Sequence, residues 1–321
     1  MAFNNICIVG AGAIGTLLGA RLAHAGQAEV SALARGATLS ALQAHGWRLQ
    51  VAGSTIVEPV RASADPHALG VHDIVILAVK GPALAEVART IAPLLGPDTI
   101  VLPAVNGVPW WFMPGAPLAS VDPGGHIAAA IPVAHVVGCV VHASAAVRKP
   151  GLVQHRMGQG LIIGEPAGSV SARVRLLGGL LSGAGFDVTE SAHIRHDLWY
   201  KLWGNLTMNP VSALTGATID LVFDDPLVRA FCSAAMAEAA AIGALIDCPV
   251  AQHPDDRHAV TRKLGAFKTS MLQDAEAGRQ IELDSIVGAV REIGQRVGVA
   301  TPNVDALLGL TRLFGRVHGL Y

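Results

Sequence analysis

Charge is scarce in this chain of 321 residues: Asp, Glu, Lys and Arg make up 15% of it, and 23 basic residues nearly cancel 24 acidic ones. No excess of either sign is available to draw in nucleic acid or an anionic membrane, so a small molecule is the expected partner. Cysteine is scarce too. Cys7, Cys139, Cys232 and Cys248 form no CxxC pair, which suggests neither a metal site nor a disulfide framework, and a reducing cytoplasm fits best. The opening residues lack the basic start and unbroken apolar run of a secretion signal, because glycines interrupt them at fixed spacing. Residues 127–147 hold no charged side chain and approach the roughly 20 residues that span a bilayer. Pro132, His135, Gly138, His142 and Ser144 interrupt that run. Its valines, in 133–137 and 140–141, predict buried strands with a bend instead. No internal repeat, low-complexity tail or flexible linker is present.

What the chain does have is apolar residues, 51% of the total, in two different periodicities. The first half alternates short apolar runs with helical stretches: Ile6 to Val9, Ala13 to Ala23, Glu29 to Ala34, Ile74 to Val79, Ala83 to Leu95 and Ile100 to Leu102. That alternation predicts an α/β fold with a doubly wound parallel sheet. A last strand at Gly185 to Glu190 closes the first domain, so the boundaries are 1–190 and 191–321. Beyond it, apolar spacings of three and four predict an all-helical second domain. One helix starts at Asp224-Asp225-Pro226 and carries Val228, Phe231, Ala235 and Ile242 on one face. Another runs from near Asp284 to a cap at Gly298, and a last one opens at Thr301-Pro302 and carries Val304, Leu307, Leu308 and Leu313. Two domains without a linker are expected to pack directly, and ligands favour such clefts.

The segment Gly10-Ala11-Gly12-Ala13-Ile14-Gly15 follows a strand and opens a helix. In that context GxGxxG binds a dinucleotide: Gly10 permits the turn, Gly12 lets backbone approach a pyrophosphate, and Gly15 lets the helix pack on the strand. A turn that merely packs tightly, or a methyltransferase loop, are the alternatives. About 20 residues on, where a carboxylate would select NAD, stands Arg35, whose guanidinium can accept a 2'-phosphate, so NADPH/NADP is the expected cofactor. The alternative is an Arg merely solvated at a strand end. Lys80 and Asn106 end two further strands and can point at the same ligand. Farther on, Lys201, Asn205 and Asn209 are spaced by four on an otherwise apolar helix, a polar stripe within about 80° that needs a ligand, water or another domain.

Taken in order, the glycine loop, Arg35, Ala78-Val79-Lys80, Asn106-Gly107, the Lys201/Asn205/Asn209 helix, Ser270 to Asp274, Glu282-Leu283-Asp284 with Gly288, and Thr301-Pro302-Asn303 make the chain resemble the ketopantoate reductase (2-dehydropantoate 2-reductase) family over almost its whole length. The resemblance implies an N-terminal Rossmann domain, a helical C-terminal domain and a substrate site in the cleft between them. It implies Lys201 as general acid, Glu282 as the acidic residue orienting substrate, Asn205, Asn209 and Ser270 as substrate contacts, and Lys80 and Asn106 beside the nicotinamide. Those roles agree with the chemistry. Hydride transfer to the ketone of a small 2-oxo acid builds negative charge on oxygen, which an ammonium stabilises and protonates, and no metal is needed.

Two departures stand out. Val105 replaces the Gln that family members commonly place before Asn-Gly, and Val108-Pro109-Trp110-Trp111-Phe112 leads into a Pro- and Gly-rich insertion, Pro114 to Gly125. The aromatics either reshape the substrate pocket or pack the loop onto the domain or another subunit. A related reductase of another 2-oxo or branched acid, and a non-catalytic NADP(H) sensor, therefore stay open, as does a homodimer. Trp199 and Trp203 read as core, and His193 and His196 stand outside the expected site.

Overall fold

The computed structural model describes residues 3–263 and 265–321. They divide into two compact units, one built from the chain up to Val105 with Gly125–Ile194, the other from Asn106–Gly124 with Arg195–Tyr321.

The first unit contains, in chain order, β1 (Asn5–Val9), α1 (Ala13–Ala25), β2 (Glu29–Leu33), α2 (Gly36–His45), β3 (Trp47–Val51), β4 (Ser54–Glu58), β5 (Ala62–Ser63), β6 (His72–Leu77), α3 (Gly81–Thr90), β7 (Leu95–Pro103), α4 (His126–Ala130), β8 (Gly138–Lys149), β9 (Leu152–Gly164), α5 (Ala172–Gly183) and β10 (Asp187–Glu190). A parallel sheet takes the order β5-β2-β1-β6-β7. Ile6, Ile8, Ile74, Ile76, Ile100 and Leu102 are buried in it, as continuous apolar runs in a sheet covered on both faces require. This is the Rossmann order, with the chain reversing direction between β1 and β6, the point where such sheets bind ligands.

A second sheet, β10-β9-β3-β4 with β8 also paired to β9, was mostly illegible in the sequence. It packs on α1, where Gly19 makes room for Trp47, since a Cβ there would stand 2.7 Å from the indole. The β3–β4 turn is Ala52-Gly53, both at positive φ (47° and 87°), the geometry of a two-residue hairpin but without its usual Asn. The run expected as strand at 133–137 forms a single 3₁₀ turn over Val133–His135 before Val136 and Val137 extend into β8. Pro132 starts that turn.

The second unit holds α6 (Ile194–Thr215), α7 (Ile219–Asp224), α8 (Pro226–Leu245), α9 (Pro254–Arg262), α10 (Ser270–Glu276), α11 (Ala289–Val297) and α12 (Pro302–Val317), with a π-helical turn at Asp284–Gly288 leading into α11. Asp225 caps α8, accepting from the backbone N–H of Leu227 and Val228, with Pro226 in the first turn. Glu238 of α8 caps α12, accepting from the N–H of Asn303 and Val304 at 2.9 Å and from the Asn303 side chain at 2.6 Å. One expectation changes here. Residues 106–124, placed with the first domain on sequence, belong to the second unit, because side chains of α11 hold them there. Leu313 is 61% exposed: α12 is apolar on two faces, and periodicity does not say which is buried.

Two histidines are buried without charge. In the first unit, His72 Nδ1 donates to the Gly70 carbonyl at 2.8 Å, so its Nε2 accepts from Ser31 at 2.8 Å. In the second, His258 packs against Phe223 with Nε2 3.3 Å from the Met236 sulfur. Burial lowers both pKa values from the ordinary 6.5. The unfolded chain therefore takes up protons first as pH falls, so stability is full above about pH 6.5 and declines below it, by up to about 1.4 kcal/mol per pH unit per histidine until the folded pKa is passed. Thermal denaturation should show Tm falling from pH 7 to 5.5, with a smaller drop in His72→Gln. A flat Tm across that range would contradict the neutral assignment.

Candidate active site

In the first unit, the glycine loop lies at the carboxyl end of the central strand, with Gly10 N–H donating to Leu33 O at 3.0 Å and Ala78 N–H to Val9 O at 2.9 Å. Gly10 has φ 93°, and a Cβ on it would lie 2.6 Å from the Val79 side chain. A Cβ on Gly15 would lie 2.0 Å from the Gly10 carbonyl oxygen, so glycine is obligatory where helix meets turn. Gly12 differs: a Cβ there meets nothing within 4 Å. Open space beside Gly12, no side-chain cap on α1 and no acidic residue in its first turn leave N–H groups and a positive helix end for an anion. This cradle fits a dinucleotide pyrophosphate.

Lys80 follows Val79 directly and caps α3, which puts it beside Gly10. Arg35 occupies the N-cap position of α2 just beyond β2, and its guanidinium hydrogen-bonds both carboxylate oxygens of Glu86 on α3. Both side chains are more than half exposed, so the pair is available to exchange partners. Arg35 holds the Glu86 carboxyl below its usual range. Sequence reasoning missed Glu86.

The second unit assembles the other site residues. Half-buried Lys201 donates from Nζ to Asn106 Oδ1 at 3.2 Å, and Asn106 Nδ2 faces Glu282 Oε2 at 3.5 Å. The amide is oriented by its neighbours, carbonyl toward the ammonium and N–H toward the carboxylate. Asn106, expected beside the nicotinamide, thus joins the two groups expected to do chemistry. Its position is set by Gly107, at φ 77°, whose missing Cβ would lie 2.5 Å from the Ser285 carbonyl oxygen, and by Val108 N–H donating to that oxygen at 2.7 Å. Ser285 lies in the π-helical turn just after Glu282, a kind of distortion common at functional sites. Leu320 and Tyr321 tie down the backbone on either side of Glu282: Ile281 N–H donates to Leu320 O at 3.0 Å, and Tyr321 hydroxyl to Asp284 Oδ1 at 2.9 Å.

Asn205 lies one turn from Lys201, and Asn209, 5% exposed, one turn further along α6. Ser270 is exposed in the first turn of α10, which Thr269 caps. Among the described residues no hydrogen bond joins it to Lys201, Asn106 or Glu282. Trp199 and Trp203 are 1% exposed and form core, as their spacing suggested. The aromatic loop packs inward: Phe112 stacks on Trp199 at 5.8 Å, and Arg195 lies over Phe112 while donating to its carbonyl at 2.9 Å. Its continuation is clamped to α11. Glu292 accepts from Ala119 and Ser120, and Arg296 donates to the carbonyls of Ala116 and Pro117. The i, i+4 spacing of Glu292 and Arg296 was the sequence signal for that clamp.

The four cysteines are buried and in no disulfide, and burial pushes the Cys7, Cys232 and Cys248 thiols up to about 11, which removes these three as nucleophiles at neutral pH. Among the described residues no group of three His, Cys, Asp or Glu is placed to hold a metal.

Comparison with known proteins agrees with this architecture. The family model "Ketopantoate reductase PanE/ApbA" matches residues 6–168, and its C-terminal counterpart matches residues 193–314. A 2-dehydropantoate 2-reductase of Mesorhizobium japonicum is 43% identical over 98% of this chain and 99% of its own length. A crystal structure of a candidate ketopantoate reductase from Ralstonia solanacearum MolK2 is 56% identical with a TM-score of 0.97, covering 100% of both chains. The 2-dehydropantoate 2-reductase structure from Methylococcus capsulatus is 27% identical with a TM-score of 0.84, covering 98% of this chain and 97% of its own. On these matches the chain belongs to the ketopantoate reductase family.

Proposed function

We propose that the chain reduces the ketone of 2-dehydropantoate to give pantoate, using NADPH. The observation that carries this reading is the Lys201–Asn106–Glu282 hydrogen-bonded series, since cofactor binding alone requires neither Lys201 nor Glu282. NADPH, when bound, supplies the hydride. Gly10, Ala11, Gly12, Ala13, Ile14 and Gly15 would hold its pyrophosphate and Arg35 its 2'-phosphate, with Lys80 next to the loop.

Lys201 binds the ketone oxygen, opposes the charge that develops there, and transfers a proton from Nζ to make the hydroxyl. Asn106 keeps Nζ aimed by accepting from it. Glu282, an acceptor when ionised, takes a hydrogen bond from the substrate hydroxyl, while Asn205, Asn209 and Ser270 offer donors to the substrate carboxylate. The amides supply direction without adding charge next to the ammonium.

The test is NADPH oxidation with 2-dehydropantoate and a panel of other 2-oxo acids. Selective turnover of 2-dehydropantoate supports the reading; preference for another acid reassigns the substrate; cofactor binding without turnover defeats the enzyme. Cofactor choice has its own check. Arg35→Ala should weaken NADPH by about tenfold or more relative to NADH, the value of a charge-assisted hydrogen bond pair. Glu86→Gln, which frees the guanidinium of its carboxylate, should move the ratio the other way. Equal losses for both nucleotides in Arg35→Ala would refute the NADPH assignment.

A further inference from the structure

Helix α12 stops at Val317, and Gly319, at φ 67°, turns the chain back. Leu320 N–H donates to Gly315 O at 2.7 Å and Gly319 N–H to Arg316 O at 3.3 Å, the paired closure by which a left-handed glycine ends a helix. The reversal lays the next two residues against the helix they have just left. Leu320 is 3% exposed. Tyr321 fills the notch at Gly315, where a Cβ would lie 2.7 Å from its own, and the Arg316 guanidinium lies over its ring at 5.7 Å.

So fixed, the pair anchors the backbone at Ile281 and at Asp284, with Glu282 between the two anchors. From Asp284 the chain runs as the π-helical turn, closed by Ala289 N–H on Asp284 O. A π turn is a rare, wide form, so contacts from outside decide where its first residues point. Gly288 leaves room for the Asp284 carboxylate, since a Cβ there would lie 3.3 Å from Oδ1. Burial pushes the Asp284 carboxyl above its usual range, and the Tyr321 hydroxyl and Arg312 offset part of that shift. Without the hydroxyl, a half-buried carboxylate is left short of a donor and must move to find one.

We propose that Tyr321 is a positioning residue for substrate binding, acting through Asp284 to set the direction of the Glu282 carboxylate. The proposal rests on the assignment of Glu282 to the substrate hydroxyl. That hydroxyl takes no part in hydride transfer, so a contact with it is made equally before and during the chemical step. Its weakening raises KM and spares kcat.

Steady-state kinetics of the full chain test this. Tyr321→Phe should raise the KM for 2-dehydropantoate about fivefold, the value of one hydrogen bond, with kcat within about twofold. Nucleotide titration should find NADPH affinity unchanged, and Tm should hold because the ring is 39% exposed. Asp284→Ala should reproduce the rise, and the double variant should go no higher than either single one, since both break one contact. Asp284→Asn keeps an oxygen that accepts and should stay near the parent KM. Glu282→Gln sets the scale, raising KM about tenfold or more. If Glu282→Gln raises KM and Tyr321→Phe does not, the positioning role falls and the assignment of Glu282 stands. If neither moves KM, both fall. A Tyr321→Phe that lowers kcat and Tm together makes the residue structural only and overturns the proposal.

Discussion

Lys201→Ala is expected to lower kcat at least about a hundredfold, the lower end of general acid catalysis, with the NADPH dissociation constant almost unchanged. Lys201 lies in the second unit with its ammonium on Asn106, whereas the glycine loop and Arg35 belong to the first. Removing the ammonium leaves the developing alkoxide without its proton donor and its positive partner together. Single-turnover kinetics should place the loss in the chemical step, and the product should remain a 2-hydroxy acid. An unaltered kcat would remove Lys201 from the chemistry.

Gly107→Ala should be nearly as severe although it deletes nothing. A methyl group there would lie 2.5 Å from the Ser285 carbonyl oxygen and 2.7 Å from its hydroxyl, at φ 77°, a backbone region that alanine resists. One strand of backbone must yield by roughly an ångström. Either shift moves Asn106 on one side or the Glu282 turn on the other, and a displacement of that size can lower the rate about a hundredfold. Stopped-flow reduction and nucleotide titration would separate the effects: kcat should collapse while NADPH affinity holds. If kcat and Tm both stay near the parent values, the Gly107–Ser285 contact does not set the geometry.

Much of this was legible in the sequence, and unevenly so. The glycine loop reads clearly because two of its three glycines meet steric demands, Gly15 against Gly10 and Gly10 against Val79, and the third borders open space. The Lys201, Asn205 and Asn209 stripe reads clearly because helical periodicity alone brings the three together. Asn106 was found but given different neighbours. Its contacts cross 95 residues to Lys201 and 176 to Glu282, and no local pattern encodes separations of that size. The β3–β4 hairpin escaped because alanine occupies a positive-φ turn position usually marked by asparagine.

Helix α1 has a consequence for ligand linkage. It begins at the phosphate cradle, yet its flank is wedged beneath a second sheet, with Trp47 seated in the notch at Gly19. A nucleotide gripping its first turn therefore reports on the melting of both layers. Saturation should delay unfolding of the whole first unit as one block, each tenfold excess over Kd adding about 1.4 kcal/mol, and enlarging Gly19 should weaken nucleotide binding from a position that never meets the ligand.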